Sequence, residues 1–126
     1  MLICPCGNHL SFDECCHPII DGTIKAATAE KLMRARYSSY SVGAVDFLLK
    51  STHKTTRKLH NRKEVKKWSE NNNWLQLEIL DATEKTVTFK AHFKDFHKEH
   101  QIHYEKSHFI FENDSWYYVN GEFVIN

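Results

Sequence analysis

The sequence predicts an α+β fold, three helices packed on a curved antiparallel sheet, and three observations carry that prediction. Apolar residues recur at helical spacing through the first half, they switch to strict alternation after Trp74, and all four cysteines fall within residues 4–16. Helices first, followed by strands in hairpin order, place the helices as one layer against an antiparallel sheet. The chain has 126 residues, 41% hydrophobic and 26% charged, which is the size and make-up of one ordinary domain with a packed core.

The first element is the cysteine cluster, with Cys4-Pro5-Cys6-Gly7 followed by Cys15-Cys16. Zinc favours four ligands in a tetrahedron, and four thiolates satisfy it completely. Pro5 fixes φ between the first two sulfurs, and Gly7 permits a left-handed turn that aims amide N–H groups at them. Four thiolates around Zn²⁺ leave a net charge of −2, which such N–H···S bonds would offset. With four protein ligands there is no open position for water, so the ion expected here is structural. His17 is the alternative to Cys16 as fourth ligand. Adjacent Cys15 and Cys16 disfavour a pair of disulfides, and a redox pair would typically read C-x-x-C, which is absent. Cys4-Pro5-Cys6-Gly7 with Cys15-Cys16 resembles the SEC-C motif, a short zinc-binding module. The loop Gly7-Asn8-His9-Leu10 lacks the lysines usual there, so no basic docking surface is expected of it.

Charge and hydropathy narrow the function classes. Net charge is +1, from 17 basic and 16 acidic side chains, which argues against nucleic acid as the main partner. The locally basic stretch from Lys50 to Lys67 reads as a solvated helix face. Met1-Leu2-Ile3-Cys4 has no charged leader followed by an apolar run, so it is not a secretory signal. No run approaches the ~20 apolar residues of a membrane span. A reducing cytoplasm is therefore expected, where clustered cysteines bind metal more often than they form disulfides.

Residues 1–22 form the expected metal motif and 23–126 the α+β domain. Residues 18–27 read as a connector. Thr28 is an N-cap with Glu30 in the first turn, Leu32, Met33, Tyr37 and Tyr40 follow at helical spacing, and Gly43 ends the helix. A short helix over Val45–Leu49 comes next. Asn61 with Glu64 starts a third helix, with Val65 and Trp68 on one face and Asn71-Asn72-Asn73 at its end. Trp74–Leu80 is the first strand. In the second, Val87, Phe89, Ala91 and Phe93 share one face. Ile102–Phe111 and Trp116–Asn120 complete the sheet, the last closed by Gly121.

The segments Leu32-Met33-Arg34-Ala35-Arg36-Tyr37, Trp74-Leu75-Gln76-Leu77, Glu105-Lys106-Ser107-His108-Phe109 and Trp116-Tyr117-Tyr118-Val119-Asn120-Gly121 resemble the YchJ-like bacterial proteins. With the cysteine motif, the resemblance spans Cys4 to Gly121. It implies a nuclear-transport-factor-2-like cone after the SEC-C motif, and no reaction. Many relatives carry a second SEC-C motif at the C-terminus. The sequence to Asn126 shows none, so a function needing two zinc modules is not expected.

Such a cone leaves a cavity at its open end, and the strand from Ile102 supplies candidates for it. His103, Glu105, Ser107, Phe109 and Phe111 share a face that the phenylalanines turn inward. A buried Glu105 needs a partner, and Arg36 on the first helix is the expected one. Arg36, Tyr40, His53, Glu105 and Ser107 are the candidate pocket residues, with Glu105 or His53 as general acid–base. His92, His97, His100, His103 and His108 read as surface histidines, and Trp74, Trp116, Tyr117 and Tyr118 as core and sheet packing. Two functions follow. The favoured one is a non-enzymatic, zinc-containing adaptor with a protein partner. The alternative is a small-ligand-binding or hydrolytic domain using Arg36, His53 and Glu105. No nucleophile, second metal or cofactor motif completes a catalytic set.

Overall fold

Residues 3–124 are described by a computed structural model. Met1 and Leu2, the start of the stretch read as free of a secretory leader, lie outside the described residues, as do Ile125 and Asn126 at the end of the predicted second segment. The N-terminal segment is a knot of short turns: an isolated bridge pairs Ile3 with Ser11, a single 3-10 turn covers Phe12–Glu14, and α1 runs His17–Ile20. Ile19 is buried, so part of the expected connector is helical and packed. Pro18 in its first turn starts the helix at little cost because that N–H would be unpaired anyway.

Helix α2 (Ala29–Val42) starts where Thr28 accepts a hydrogen bond from the Lys31 N–H, and it stops at Gly43, whose φ of 77° is the left-handed conformation a C-cap requires. Short helices α3 (Val45–Lys50) and α4 (Lys54–Arg57) follow, then α5 (Arg62–Asn71), capped by Asn61 accepting from the Lys63 and Glu64 N–H groups. The basic stretch is thus divided among the end of α3, α4, a turn and the start of α5. Within α5 only Ser69 is buried, and its hydroxyl donates to the Tyr40 carbonyl at 2.6 Å.

Strands β1 (Asn73–Ala82), β2 (Thr86–Lys94), β3 (His100–Glu112) and β4 (Ser115–Phe123) form one antiparallel meander in sequence order. Register irregularities between Trp74 and Gln76, between Ile79 and Asp81, and between His108 and Phe109 bend the strands, which curves the sheet around α2. In β2, Val87, Phe89, Ala91 and Phe93 are all buried, as alternation requires. The first three join Leu32, Met33 and Tyr37 of α2 with Leu77 and Phe109 in the main core, and Phe93 packs beside Trp68 and Trp74. The edge of β4 is covered at Tyr118. Thr52 bridges Tyr118 in parallel, the His53 N–H reaches the Tyr118 carbonyl at 2.7 Å, and the Tyr118 N–H reaches the Ser51 carbonyl at 2.8 Å. Protecting an edge this way removes unpaired backbone groups that invite aggregation.

Two strand expectations are corrected. Phe111 is 52% exposed, because β2 begins opposite His108 and leaves residue 111 paired on one side, with Trp116 of β4, whose ring centre lies 5.3 Å from its own. Gly121 lies inside β4, which continues to Phe123, and does not close it. Among the described residues no helix is long and apolar enough to cross a membrane.

Candidate functional site

The sulfurs of Cys4, Cys6, Cys15 and Cys16 all lie within 4.8 Å of one another. Four sulfurs about 2.3 Å from a central zinc would stand about 3.8 Å apart. The Cys6–Cys15 and Cys15–Cys16 pairs stand at 3.6 and 3.9 Å, so the donor set fits a tetrahedral ion of that size. Gly7, at φ 85°, makes the turn that returns its own N–H to the Cys4 carbonyl, and the next amide, Asn8 N–H, points at the Cys6 sulfur. Four thiols this close cannot all ionise unaided. The hydrogen bond from Cys16 pulls the Cys6 thiol down to about 5. Burial, then the bond and charge of Cys6, push Cys15 up to about 11, and the Cys6 bond with burial pushes Cys16 up as well. A dication would resolve that conflict by ionising all four. His17 stands apart: its Nδ1 lies 3.1 Å from Asp13 and its ring stacks on Phe12 at 5.1 Å. Helix α2 backs the cluster, with Ser38 Oγ 3.5 Å from the Cys4 sulfur and Arg34 donating to the Cys6 carbonyl at 2.8 Å.

The second constellation is a cavity of about 200 Å³ between α2, α5 and the concave sheet face. Arg36, Tyr40, Glu105 and Ser107 line it together with His60, His103 and Tyr118 under walls of Tyr37, Trp68, Trp74 and Phe89. His53 does not line it. The pairing of residues 51–53 with β4 turns its ring away, to Glu112 at 3.1 Å and Thr55 at 2.8 Å. The expected Arg36–Glu105 ion pair is not made either. The Arg36 Nη1 donates to the Leu48 carbonyl at 2.9 Å, Ser51 at 2.7 Å and Thr52 at 3.2 Å, while its guanidinium carbon sits 4.3 Å from the centre of the Tyr118 ring. Glu105 accepts from Ser107, from His103 at 2.8 Å and from the Tyr118 hydroxyl at 3.3 Å. Tyr118 therefore links the two charges by its face and its hydroxyl. His103 belongs to this cavity and not to the surface.

A family model for the YchJ middle, nuclear-transport-factor-2-like domain matches residues 28–121. The chain belongs to the YchJ-like family. A UPF0225 protein of Geobacter sulfurreducens is 36% identical, covering 94% of this chain and 78% of the relative. The solution structure of a SEC-C motif protein from Rhodopseudomonas palustris superposes with a TM-score of 0.91 at 34% identity, covering 98% of this chain and 100% of that one. A crystal structure of a SEC-C motif protein from Psychrobacter arcticus gives 0.81 at 26% identity, covering 100% and 85%. These likenesses agree with the α+β cone and with a cysteine motif ahead of it.

In this YchJ-like cone, Tyr118, His60 and Gly121 are the contributors that sequence reading missed. Tyr118 reads as packing in the sequence, and only the β3–β4 register, Ser107 opposite Gly121 and Phe109 opposite Tyr118, brings it to Glu105. Gly121 leaves the room into which the Glu105 carboxylate packs. Burial alone would raise the Glu105 pKa, but the His103 and Ser107 hydrogen bonds, the His103 charge and the Tyr118 bond outweigh it and hold the carboxyl below its usual range. A folded-state pKa below the unfolded one contributes stability that is present above the unfolded value and lost as pH falls through the folded one. Glu105→Gln is therefore expected to lower stability at neutral pH and to flatten the loss below about pH 4.3. Urea melts of both proteins across pH 3–7 check this (~1–2 kcal/mol at neutral pH), and parallel curves would refute it.

Proposed function

We propose that the protein is a zinc-fastened interaction module. One structural zinc ion on Cys4, Cys6, Cys15 and Cys16 clips the N-terminal segment to helix α2, and the surface the two parts build together takes a protein partner. The observation that carries this reading is the closed sulfur set, with two separations of 3.6 and 3.9 Å. Four protein donors leave a metal no place for a reacting water. Support for the partner comes from an apolar groove of about 590 Å³ whose wall is shared between the parts: Ile19, Ile20 and Ile24 on one side, Phe47 and Trp116 on the other. Loss of the clip would remove Ile19 and Ile20 from that wall. With four cysteines that are not joined by disulfides, the module suits a reducing cytoplasm.

The hydrolytic alternative has less support. Ser107 is fully buried and spends its proton on Glu105, so it is not placed as a nucleophile. A carboxyl held below its usual range is a weak base at neutral pH, where an efficient one has a pKa near 7. The test is metal analysis joined to partner capture. One zinc per chain is expected in the purified protein and none in Cys4→Ser. A partner captured by the wild type should be lost with Cys4→Ser and with Ile24→Asp, which changes an exposed groove residue, and kept by Ile102→Asp on exposed sheet surface. Absence of metal in freshly purified protein would overturn the clip, and capture indifferent to Ile24→Asp would overturn the groove.

A further inference from the structure

Arg36 is only 5% exposed, and among the described residues no carboxylate lies within ion-pair distance of it. A buried charge is normally paired, because desolvating it alone costs several kcal/mol. Its hydrogen bonds to protein all leave from Nη1, toward Leu48, Ser51 and Thr52. The Nε and Nη2 edge has no partner among the described residues. It is not sealed in protein either, since the single enclosed side-chain polar atom without a partner among them is Ser11 Oγ. What surface Arg36 retains opens on the cavity it lines. The Tyr40 hydroxyl, on the same wall, is likewise without a partner and unsealed.

The unspent groups of the cavity are thus donors. Glu105, its one carboxylate, is already met by His103, Ser107 and Tyr118, so it does not call for a cationic ligand. Burial, then the nearby Arg36 charge, lowers the His60 pKa and keeps that ring neutral. Burial raises the Tyr40 pKa, so its hydroxyl keeps its proton to donate. Around these donors stand flat apolar faces: Trp74 meets Tyr40 at 5.4 Å and Tyr37 at 6.0 Å, and Trp68 closes the side. The volume of about 200 Å³ is below that of sites for drug-sized molecules, about 300–1,000 Å³.

We propose that this cavity binds a small organic carboxylate with a planar apolar body, its oxygens held by the free edge of Arg36 and by Tyr40. A guanidinium edge offers two parallel N–H groups to a carboxylate, which is the strong, geometrically selective form of this contact. Binding here is independent of the metal clip and of the groove, so a protein lacking its partner would still bind.

Benzoate is the probe, titrated into the full chain and followed by tryptophan fluorescence and by the NMR shift of the Arg36 Nε–H. Saturable binding is expected, with the Arg36 resonance moving, and with benzamide and inorganic phosphate each at least tenfold weaker. Tyr40→Phe keeps the ring that packs on Trp74 and should weaken benzoate about three- to tenfold. Arg36→Lys should weaken it further by removing the fork. Equal affinity for benzamide, tighter binding of benzylamine, phosphate binding as well as benzoate, or benzoate affinity unchanged in a folded Tyr40→Phe protein would each overturn the proposal.

Discussion

Replacing Cys6 by serine is expected to release the metal and set residues 3–22 free while the four-stranded sheet stays folded. The segment has almost no core of its own. Its buried apolar cluster consists of Cys4, Cys6, Cys16 and Ile19 with Ala35 of α2, so three of its five members are proposed ligands. A helix of four residues and a single 3-10 turn cannot hold themselves in water. The proposed clip would therefore supply most of the local stability, since a structural zinc contributes on the order of 10 kcal/mol of binding free energy that becomes folding free energy. Hydrogen exchange should show near-unfolded rates for amides such as Cys4 N–H, bonded to the Leu10 carbonyl at 2.8 Å, with protection retained across β2 and β3. The melting temperature should also fall by several degrees, because Ala35 and Ser38, fully buried on α2, lose their cover. Retained metal, or protection of residues 3–22 in its absence, would show that the segment is held by something else.

Much of this molecule is legible in the sequence because its signals are local. Thr28 and Gly43 bracket α2, Asn61 caps α5, and alternation in β2 names its buried face. The cysteine motif is local as well, since the turn at Gly7, the Ile3–Ser11 bridge and the 3-10 turn at Phe12–Glu14 gather its sulfurs within a short stretch of chain. What escaped depends on long-range register. Charge complementarity alone pairs Arg36 with Glu105, but β4 inserts the Tyr118 ring between them, and the helix carbonyl end at Leu48 with two hydroxyls provides Arg36 with neutral acceptors. The position of His53 is decided by a backbone bridge to Tyr118 that no periodicity announces. The Asn113-Asp114 turn, both residues at positive φ, is by contrast a local signal, a tight hairpin of the kind such residues favour. Gly121 reads as a stop in the sequence, and its reason for being there sits on the neighbouring strand, where Glu105 packs against it.

That glycine yields the sharpest stability prediction. Gly121 is not among the positive-φ residues, so its backbone conformation is open to any side chain. In an ordinary strand position Gly→Ala would then gain about 0.5–1 kcal/mol. Here a Cβ would run into the Glu105 carboxyl group, which must swing away and give up its bonds to Ser107 and Tyr118. Ser107 is fully buried, so its hydroxyl has no water to replace the lost acceptor. Gly121→Ala is expected to destabilise the protein by about 1–3 kcal/mol. Removing the obstacle should reverse the sign: in a Glu105→Ala background the same substitution should be neutral or stabilising. The coupling energy from urea denaturation of the four proteins isolates this one contact. A Gly121→Ala cost that is the same in both backgrounds would mean that the glycine answers to something other than Glu105, and that the carboxylate's place in the cavity is not fixed by the close approach of β3 to β4.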